Sequence, residues 1–239
     1  MKNDPSFKLV AAVILTGVFL ALFDSAHAAD ETATAKKRHT RTRTGTYQSS
    51  NGNSGTINST VTRGAGETTR NGTLTNQNGQ TATHTADRTY DKTTGTGTVS
   101  SSTTDFDGDT MSRQGTFTKN ADGTVSSQGT LTGYHGKTAT YADTTTKTAT
   151  GSTTTGTIIG ANGKTATVNS SVTKTAPGDV TRDTTVTGAN GKTLEKEVAT
   201  KINPDGTGTR IVEVTKPDGT TETRTETFAI TDTGAPSKP

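Results

Sequence analysis

Polar and apolar residues alternate along most of this chain. Threonine takes every second position in stretches such as "HTRTRTGT" (39–46) and "TETRTETF" (221–228). Successive side chains of a β-strand point to opposite faces, so this alternation predicts strands with two chemically different faces. The stretches between glycine-containing turns are about ten residues long, which is an ordinary strand length.

Glycine residues separate these stretches at a regular spacing. A first series recurs every 27 to 29 residues and consists of Gly52, Gly79, Gly108, Gly136, Gly163, Gly191 and Gly219. A second series lies between them and consists of Gly66, Gly95, Gly123, Gly151, Gly178, Gly206 and Gly234. The spacing indicates a repeat of about 28 residues that contains two turns, as expected for a repeat architecture.

The residues before the glycines identify the turns. The first series reads "SNG", "QNG", "FDG", "YHG", "ANG", "ANG" and "PDG", and the second includes "ADG" (121–123) and "PDG" (204–206). Asn or Asp followed by Gly favours a three-residue hairpin loop, in which a type I turn is followed by glycine in the left-handed region. We therefore interpret each repeated motif as the tip of a β-hairpin.

Apolar residues keep fixed positions relative to the first-series glycines. Five residues before the glycine stand Tyr47, Leu74, Thr103, Leu131, Ile158, Val186 and Val214. In a three-residue loop this position faces the residue three after the glycine, and offsets −5, +3, +5 and +9 then share one face. We predict one apolar face, which is interrupted by Arg88, Arg113, Lys119, Lys147, Lys174 and Arg224.

These patterns predict an all-β fold, an up-and-down antiparallel meander of about 13–14 strands built from 28-residue hairpin repeats. One buried Leu, Ile or Val per strand contributes about 1.5–3 kcal/mol, whereas ordering the backbone costs about 1–2 kcal/mol for every residue. A flat sheet of this composition is not stable alone. We expect it to curl, close on itself, stack on a copy or lie against another surface.

Three other architectures are less compatible with the pattern. A β-solenoid is the main alternative, and hairpin turns at both ends of each repeat disfavour it. An outer-membrane barrel needs a continuous apolar band with aromatic girdles, whereas both faces here carry charge or Thr and Trp is absent. Disorder is disfavoured by the regular spacing, except near the two termini.

The first thirty residues have the order of parts of a secretory signal peptide. Lys2 and Lys8 precede an apolar run from Leu9 to Phe23, which is followed by Ala26-His27-Ala28. We predict a signal peptide at 1–28, a basic flexible arm at 29–38, a hairpin-repeat domain at 39–234 and a disordered tail at 235–239. The protein is then exported, to the periplasm, cell surface or medium, with no transmembrane span after cleavage.

Composition disfavours catalysis. The chain has no Cys, and its hydrophobic residues are only 26% of the total, while Thr is about a quarter. Cysteine-based metal sites and nucleophiles are therefore excluded. The His residues share no motif, and no G-x-S-x-G, H-E-x-x-H or P-loop pattern is present. We predict a protein that is not an enzyme and needs no cofactor.

Two clusters are candidate sites. Asp105, Asp107 and Asp109 in "DFDGD" are a weak calcium candidate, because an EF-hand loop would end in Glu where this chain has Gln114. An Asp-rich turn explains the motif more simply. The polyanion-binding candidate comprises Lys36, Lys37, Arg38, Arg41 and Arg43. Nucleic-acid binding is disfavoured because the cluster has no aromatic residues for stacking.

The "TGxNGKTAT" and "NPDGTGTR" modules, together with the Ala-x-Ala signal, resemble a group of uncharacterised exported Thr/Gly-rich hairpin-repeat proteins of Gram-negative bacteria. The resemblance covers roughly 40–234 and implies export and hairpin repeats. It supplies no functional residues.

Two functional hypotheses follow. The first is a structural or interaction protein of the envelope or extracellular matrix, which associates with itself or with polysaccharide through sheet faces or edges. The second is a module that binds a polyanion or glycan through the basic arm and the Thr-rich face. Ice binding is a minor alternative, because hairpins twist whereas ice-binding ladders need flat ranks of Thr.

Overall fold

A computed structural model describes residues 38–233 and contains fourteen antiparallel strands. The strands are β1 (His39–Ser49), β2 (Ser54–Gly64), β3 (Glu67–Asn76), β4 (Thr81–Asp91), β5 (Thr96–Thr104), β6 (Thr110–Lys119), β7 (Val125–Thr132), β8 (Thr138–Lys147), β9 (Gly151–Gly160), β10 (Thr165–Ala176), β11 (Asp179–Thr187), β12 (Thr193–Ile202), β13 (Thr207–Thr215) and β14 (Thr221–Thr233). A 3-10 turn, Tyr134–Gly136, lies between β7 and β8.

The sheet is an up-and-down meander that closes into a barrel. Every strand pairs with its neighbours in sequence, and β1 pairs with β14 from Thr40↔Thr233 to Ser49↔Arg224. The prediction of an all-β meander is confirmed, and the meander closes into a barrel. The alternative of a β-solenoid is wrong, because consecutive strands form antiparallel hairpins and do not stack as coils. Association through sheet edges is also wrong for the described strands, since each has hydrogen-bonded neighbours on both sides.

The seven first-series turns lie together at one end of the barrel, here called the first end. Their glycines all have φ between 72° and 88°. The N–H of each glycine bonds to the carbonyl three residues earlier, as from Gly52 to Ser49 at 3.0 Å. This is the type I turn with left-handed glycine that the sequence predicts.

The other end of the barrel, here called the second end, has more varied turns. Gly123 and Gly206 repeat the first-end geometry. A two-residue loop, Ala65-Gly66, joins β2 to β3, and both of its residues have positive φ. Gly151 departs from the series because it begins β9 and is not a left-handed turn residue. The last glycine of the second series, Gly234, lies outside the described residues.

The register places the predicted apolar face inside the barrel. Residues five before and three after each first-series glycine are direct partners, as in Leu74↔Ala82 and Val186↔Leu194. These positions form an apolar belt near the first end, comprising Tyr47, Leu74, Ala82, Met111, Leu131, Ala139, Ile158, Ala166, Val186, Leu194 and Val214, all buried. The enclosed space is called the lumen below.

The barrel accounts for the predicted repeat domain as far as residue 233. The predicted signal peptide, the tail and all of the basic arm except Arg38 lie outside the described residues.

Candidate functional site

The predicted basic cluster is divided between the chain terminus and the barrel. Lys36 and Lys37 lie outside the described residues. Arg38 is exposed and its Nη2 lies 3.0 Å from a carboxylate oxygen of Glu67. Arg41 lies on β1, with its Nε 3.4 Å from Asp232. The sequence cluster therefore does not form one continuous surface.

The position of Arg43 contradicts its predicted role in binding a polyanion at the surface. Its side chain is only 13% exposed, and Nη1 lies 3.3 Å from a carboxylate oxygen of Glu226 on β14. The alternation in "HTRTRTGT" points Thr outward, and it therefore points Arg43 into the lumen. A buried guanidinium in an ion pair cannot contact a polymer outside the barrel.

Glu226 is the centre of a buried ion cluster. It is 1% exposed and accepts a hydrogen bond of 2.5 Å from Nη2 of Arg224. Nη1 of Arg210 lies 3.6 Å away, and Arg43 approaches from β1. Burial acts to raise the pKa of Glu226, but the charges of Arg210, Arg224 and Arg43 outweigh it and lower the pKa. One carboxylate thus faces three guanidinium groups.

The excess of positive charge extends along β11 and β12. Lys196 is 7% exposed, and burial together with the charges of Arg210, Arg224 and Arg182 lowers its pKa well below the usual value. Glu226 counteracts this effect. The lumen therefore holds its cations close to one another, at an electrostatic cost.

A second ion pair stands on the opposite wall of the lumen. Nη2 of Arg113 lies 3.6 Å from Asp143 and donates a hydrogen bond of 3.2 Å to Ser127. The Arg113 guanidinium also lies over the Tyr141 ring, 4.2 Å from its centroid. Arg88 lies over Phe117 in the same way, at 4.0 Å. The ring contacts hold both guanidinium groups against the wall, and the ion pair with Asp143 adds to this for Arg113.

Sequence reasoning noticed some of these cations and missed others. The apolar pattern predicts that Arg88, Arg113 and Arg224 interrupt the inward face. It does not identify Arg182, Lys196 and Arg210 as inward residues. The glycine spacing contains a pattern that identifies some of them: Arg113, Lys196 and Arg224 all stand five residues after a first-series glycine. That offset lies on the inward face.

The calcium candidate lies in the first-end turn between β5 and β6. The Asp105 carboxylate accepts hydrogen bonds from the backbone N–H groups of Asp107 and Asp109, both at 3.0 Å. This is the local bonding of an Asp-rich turn. Among residues 38–233, no group of three His, Cys, Asp or Glu side chains is arranged to hold a metal ion.

The outer face of the barrel is dominated by threonine. A row of six threonines crosses six adjacent strands from β13 through β14 and β1 to β4, namely Thr209, Thr227, Thr46, Thr56, Thr75 and Thr81. Neighbouring hydroxyls bond to each other in places, as Thr46 and Thr227 do at 3.1 Å. Ile159 and Ile211 are the large hydrophobic side chains that are exposed on the described part of the chain. We call this row the threonine row.

Comparisons with known proteins place the chain in no family. No family model matches it, and no curated protein matches it significantly. The resemblance to exported Thr/Gly-rich repeat proteins therefore stays a prediction. In the described part of the chain, no helix is long and apolar enough to cross a membrane.

One solved structure is similar to the chain at a low level. This is the crystal structure of the β domain of the Bordetella autotransporter Brka, with 10% sequence identity and a TM-score of 0.25. The similarity covers 82% of this chain and 99% of that one. A TM-score and a sequence identity this low support no inference about the function of this barrel.

Proposed function

We propose that this chain is an exported, non-catalytic interaction protein of the cell envelope or extracellular matrix, which binds polysaccharide through the threonine row. The row is the single observation that carries this proposal. Neighbouring strands of the row lie about 4.8 Å apart. Each hydroxyl can both donate and accept hydrogen bonds. The neighbouring methyl groups offer apolar contacts to the C–H faces of sugar rings.

Closure of the barrel favours the face over the edges as the contact surface. Backbone N–H and C=O groups of the paired strands bond to each other, so a partner meets side chains only. The signal-like segment at 1–28 supports an envelope or extracellular location.

The test has two parts. The full-length chain is expressed in a Gram-negative host, and the periplasm, membranes and medium are separated and probed for it. Purified mature protein is then sedimented with insoluble peptidoglycan and with polysaccharide-coated beads. We expect export and retention on one of the polysaccharides. Failure of the wild-type protein to bind any of them would contradict the proposal.

Matched variants locate the surface. Thr46→Val and Thr56→Val replace hydroxyls of the threonine row with methyl groups of equal size, and the double variant should lose most of the retention. Thr157→Val with Thr167→Val makes the same change on β9 and β10, outside the row, and should bind as wild type. Equal binding by both double variants would show that the threonine row is not the polysaccharide-binding surface.

A further inference from the structure

Three guanidinium groups converge on Glu226 at the inner face of β1, β13 and β14. Oε2 of the carboxylate lies 3.3 Å from Nη1 of Arg43 and 3.6 Å from Nη1 of Arg210. Oε1 accepts the hydrogen bond from Nη2 of Arg224. Arg43 and Arg210 approach the same oxygen from opposite sides of β14, so their guanidinium groups are also close to each other.

Several donors of this cluster have no acceptor. Arg210 is 2% exposed, and neither its Nη1 nor its Nη2 has a hydrogen-bond partner among the described residues. Nε of Arg43 and Nε of Arg224 are buried in the same condition, and Oε2 of Glu226 makes ion pairs without a hydrogen bond. Each guanidinium carries five N–H donors, so one carboxylate cannot satisfy three of them. A buried charged donor without an acceptor is costly.

The carboxylate does not offset the burial of Arg210. Burial lowers the pKa of Arg210 from 12.5 to about 10, and the charges of Arg43 and Arg224 act in the same direction. The charge of Glu226 raises this pKa, but by less than burial lowers it. An anion at hydrogen-bond distance favours the charged form of a buried guanidinium, so a second negative charge beside Arg210 would stabilise the cluster.

Two aromatic rings pack against the cluster. The guanidinium of Arg43 lies 5.1 Å from the ring centroid of Phe228, and that of Arg224 lies 5.8 Å from the ring centroid of Tyr47. Tyr47 is also the direct partner of Glu226 in the pairing of β1 with β14. Its hydroxyl is buried and has no hydrogen-bond partner in the described part of the chain. The cluster is therefore enclosed, and it has one more donor nearby.

We propose that this cluster is a binding site for a monatomic anion, with chloride as the ligand. The ion accepts hydrogen bonds from Nη1 and Nη2 of Arg210 and supplies the second negative charge. A cavity of about 550 Å³ in the lumen is lined by other residues, so the space beside Arg210 suits a single atom rather than an organic acid. Arg43, at 13% exposure, is the least buried of the three guanidinium groups and marks the side where the ion enters. The site is independent of the threonine row, which lies on the outer face.

Urea unfolding of the mature chain tests the site, with sodium chloride exchanged for sodium gluconate at constant ionic strength. Gluconate has the same charge but is too large for the cluster. A ligand that binds the folded form alone stabilises it, so the wild-type midpoint should rise with the chloride concentration relative to that of Arg210→Met. Crystals grown in sodium bromide should show the anomalous signal of bromide beside Arg210. Equal chloride-dependent shifts in wild type and Arg210→Met, or crystals without bromide at the cluster, would overturn the proposal.

Matched variants separate an anion site from a purely structural ion cluster. Arg210→Met removes the unpaired donors and should weaken chloride binding about tenfold or more. If Arg210 served only as a partner of Glu226, the same change would move the midpoint equally in both salts, and this result would exclude the site. Arg43→Met should also reduce the chloride-dependent shift and serves as the second variant if the first does not fold. Arg41→Met, at a side chain that is 44% exposed on β1, should keep the wild-type shift. Loss of the shift in Arg41→Met as well would assign it to general salt effects and overturn the proposal.

Discussion

His84 on β4 makes the stability of the barrel depend on pH. Its side chain is 1% exposed, and Nδ1 lies 2.9 Å from the hydroxyl of Thr103 on β5. Burial, with a smaller contribution from the charge of Arg70, lowers its pKa from 6.5 to about 4. At pH 5 the unfolded chain therefore holds a proton on this residue while the folded barrel does not.

The size of the effect follows from the two pKa values. The folded form has the lower pKa, so the stabilisation is complete above pH 6.5 and is lost as the pH falls from 6.5 toward 4. A difference of about 2.5 pKa units corresponds to about 3 kcal/mol in the free energy of unfolding. About 2 kcal/mol of this is already lost at pH 5, and protonation of His84 in the folded barrel limits further loss below pH 4.

The assay is urea unfolding followed by circular dichroism at several pH values between 7 and 4. His84→Gln keeps a polar atom near Thr103 but does not titrate, so its free energy of unfolding should fall by about 3 kcal/mol less than that of wild type over this interval. His135→Asn changes a turn histidine at φ 66°, a conformation that Asn tolerates, and should keep the wild-type slope. Equal slopes for wild type and His84→Gln would refute the reasoning.

Three further predictions concern stability and are measured by chemical unfolding. Glu226→Gln leaves three buried guanidinium groups without their carboxylate and should cost about 3–5 kcal/mol, whereas Glu213→Gln at an exposed site on β13 should change little. Leu194→Ala, at 0% exposure, should cost about 2–5 kcal/mol, against less than about 1 kcal/mol for Ile211→Ala at 45% exposure. Gly191→Ala, at φ 73° in open space, should cost only the backbone term of about 1–2 kcal/mol.

The local parts of the fold could be predicted from the sequence because their causes are local. Asn or Asp before Gly determines the turn, the turn determines which residues pair, and the pairing determines which face is apolar. The second-series turns follow this rule less closely. Gly66, Gly95, Gly151 and Gly178 all lack an Asn or Asp directly before them. The first, second and fourth of these glycines keep positive φ, whereas Gly151 begins a strand.

Closure and the lumen could not be predicted in the same way. The pairing of β1 with β14 joins the two ends of the domain, and no residue near either end specifies it more than any other strand pair. The sequence groups Arg43 with its basic neighbours, because its partner Glu226 lies near the other end of the chain. The ion cluster around Glu226 likewise joins side chains of β1, β13 and β14, which only the closed barrel brings together.

The seam between β1 and β14 has a consequence for folding. Thirteen strand pairs join sequence neighbours, whereas this one joins Thr40 to Thr233 and must close a loop of almost the whole domain. Closing a flexible loop of that length costs about 5 kcal/mol in chain entropy, far more than a hairpin of a few residues. Hairpins should therefore form first and the seam last. Until then the curved sheet has two open edges. A chain that has lost β14 keeps such edges permanently and should aggregate more readily than the closed barrel.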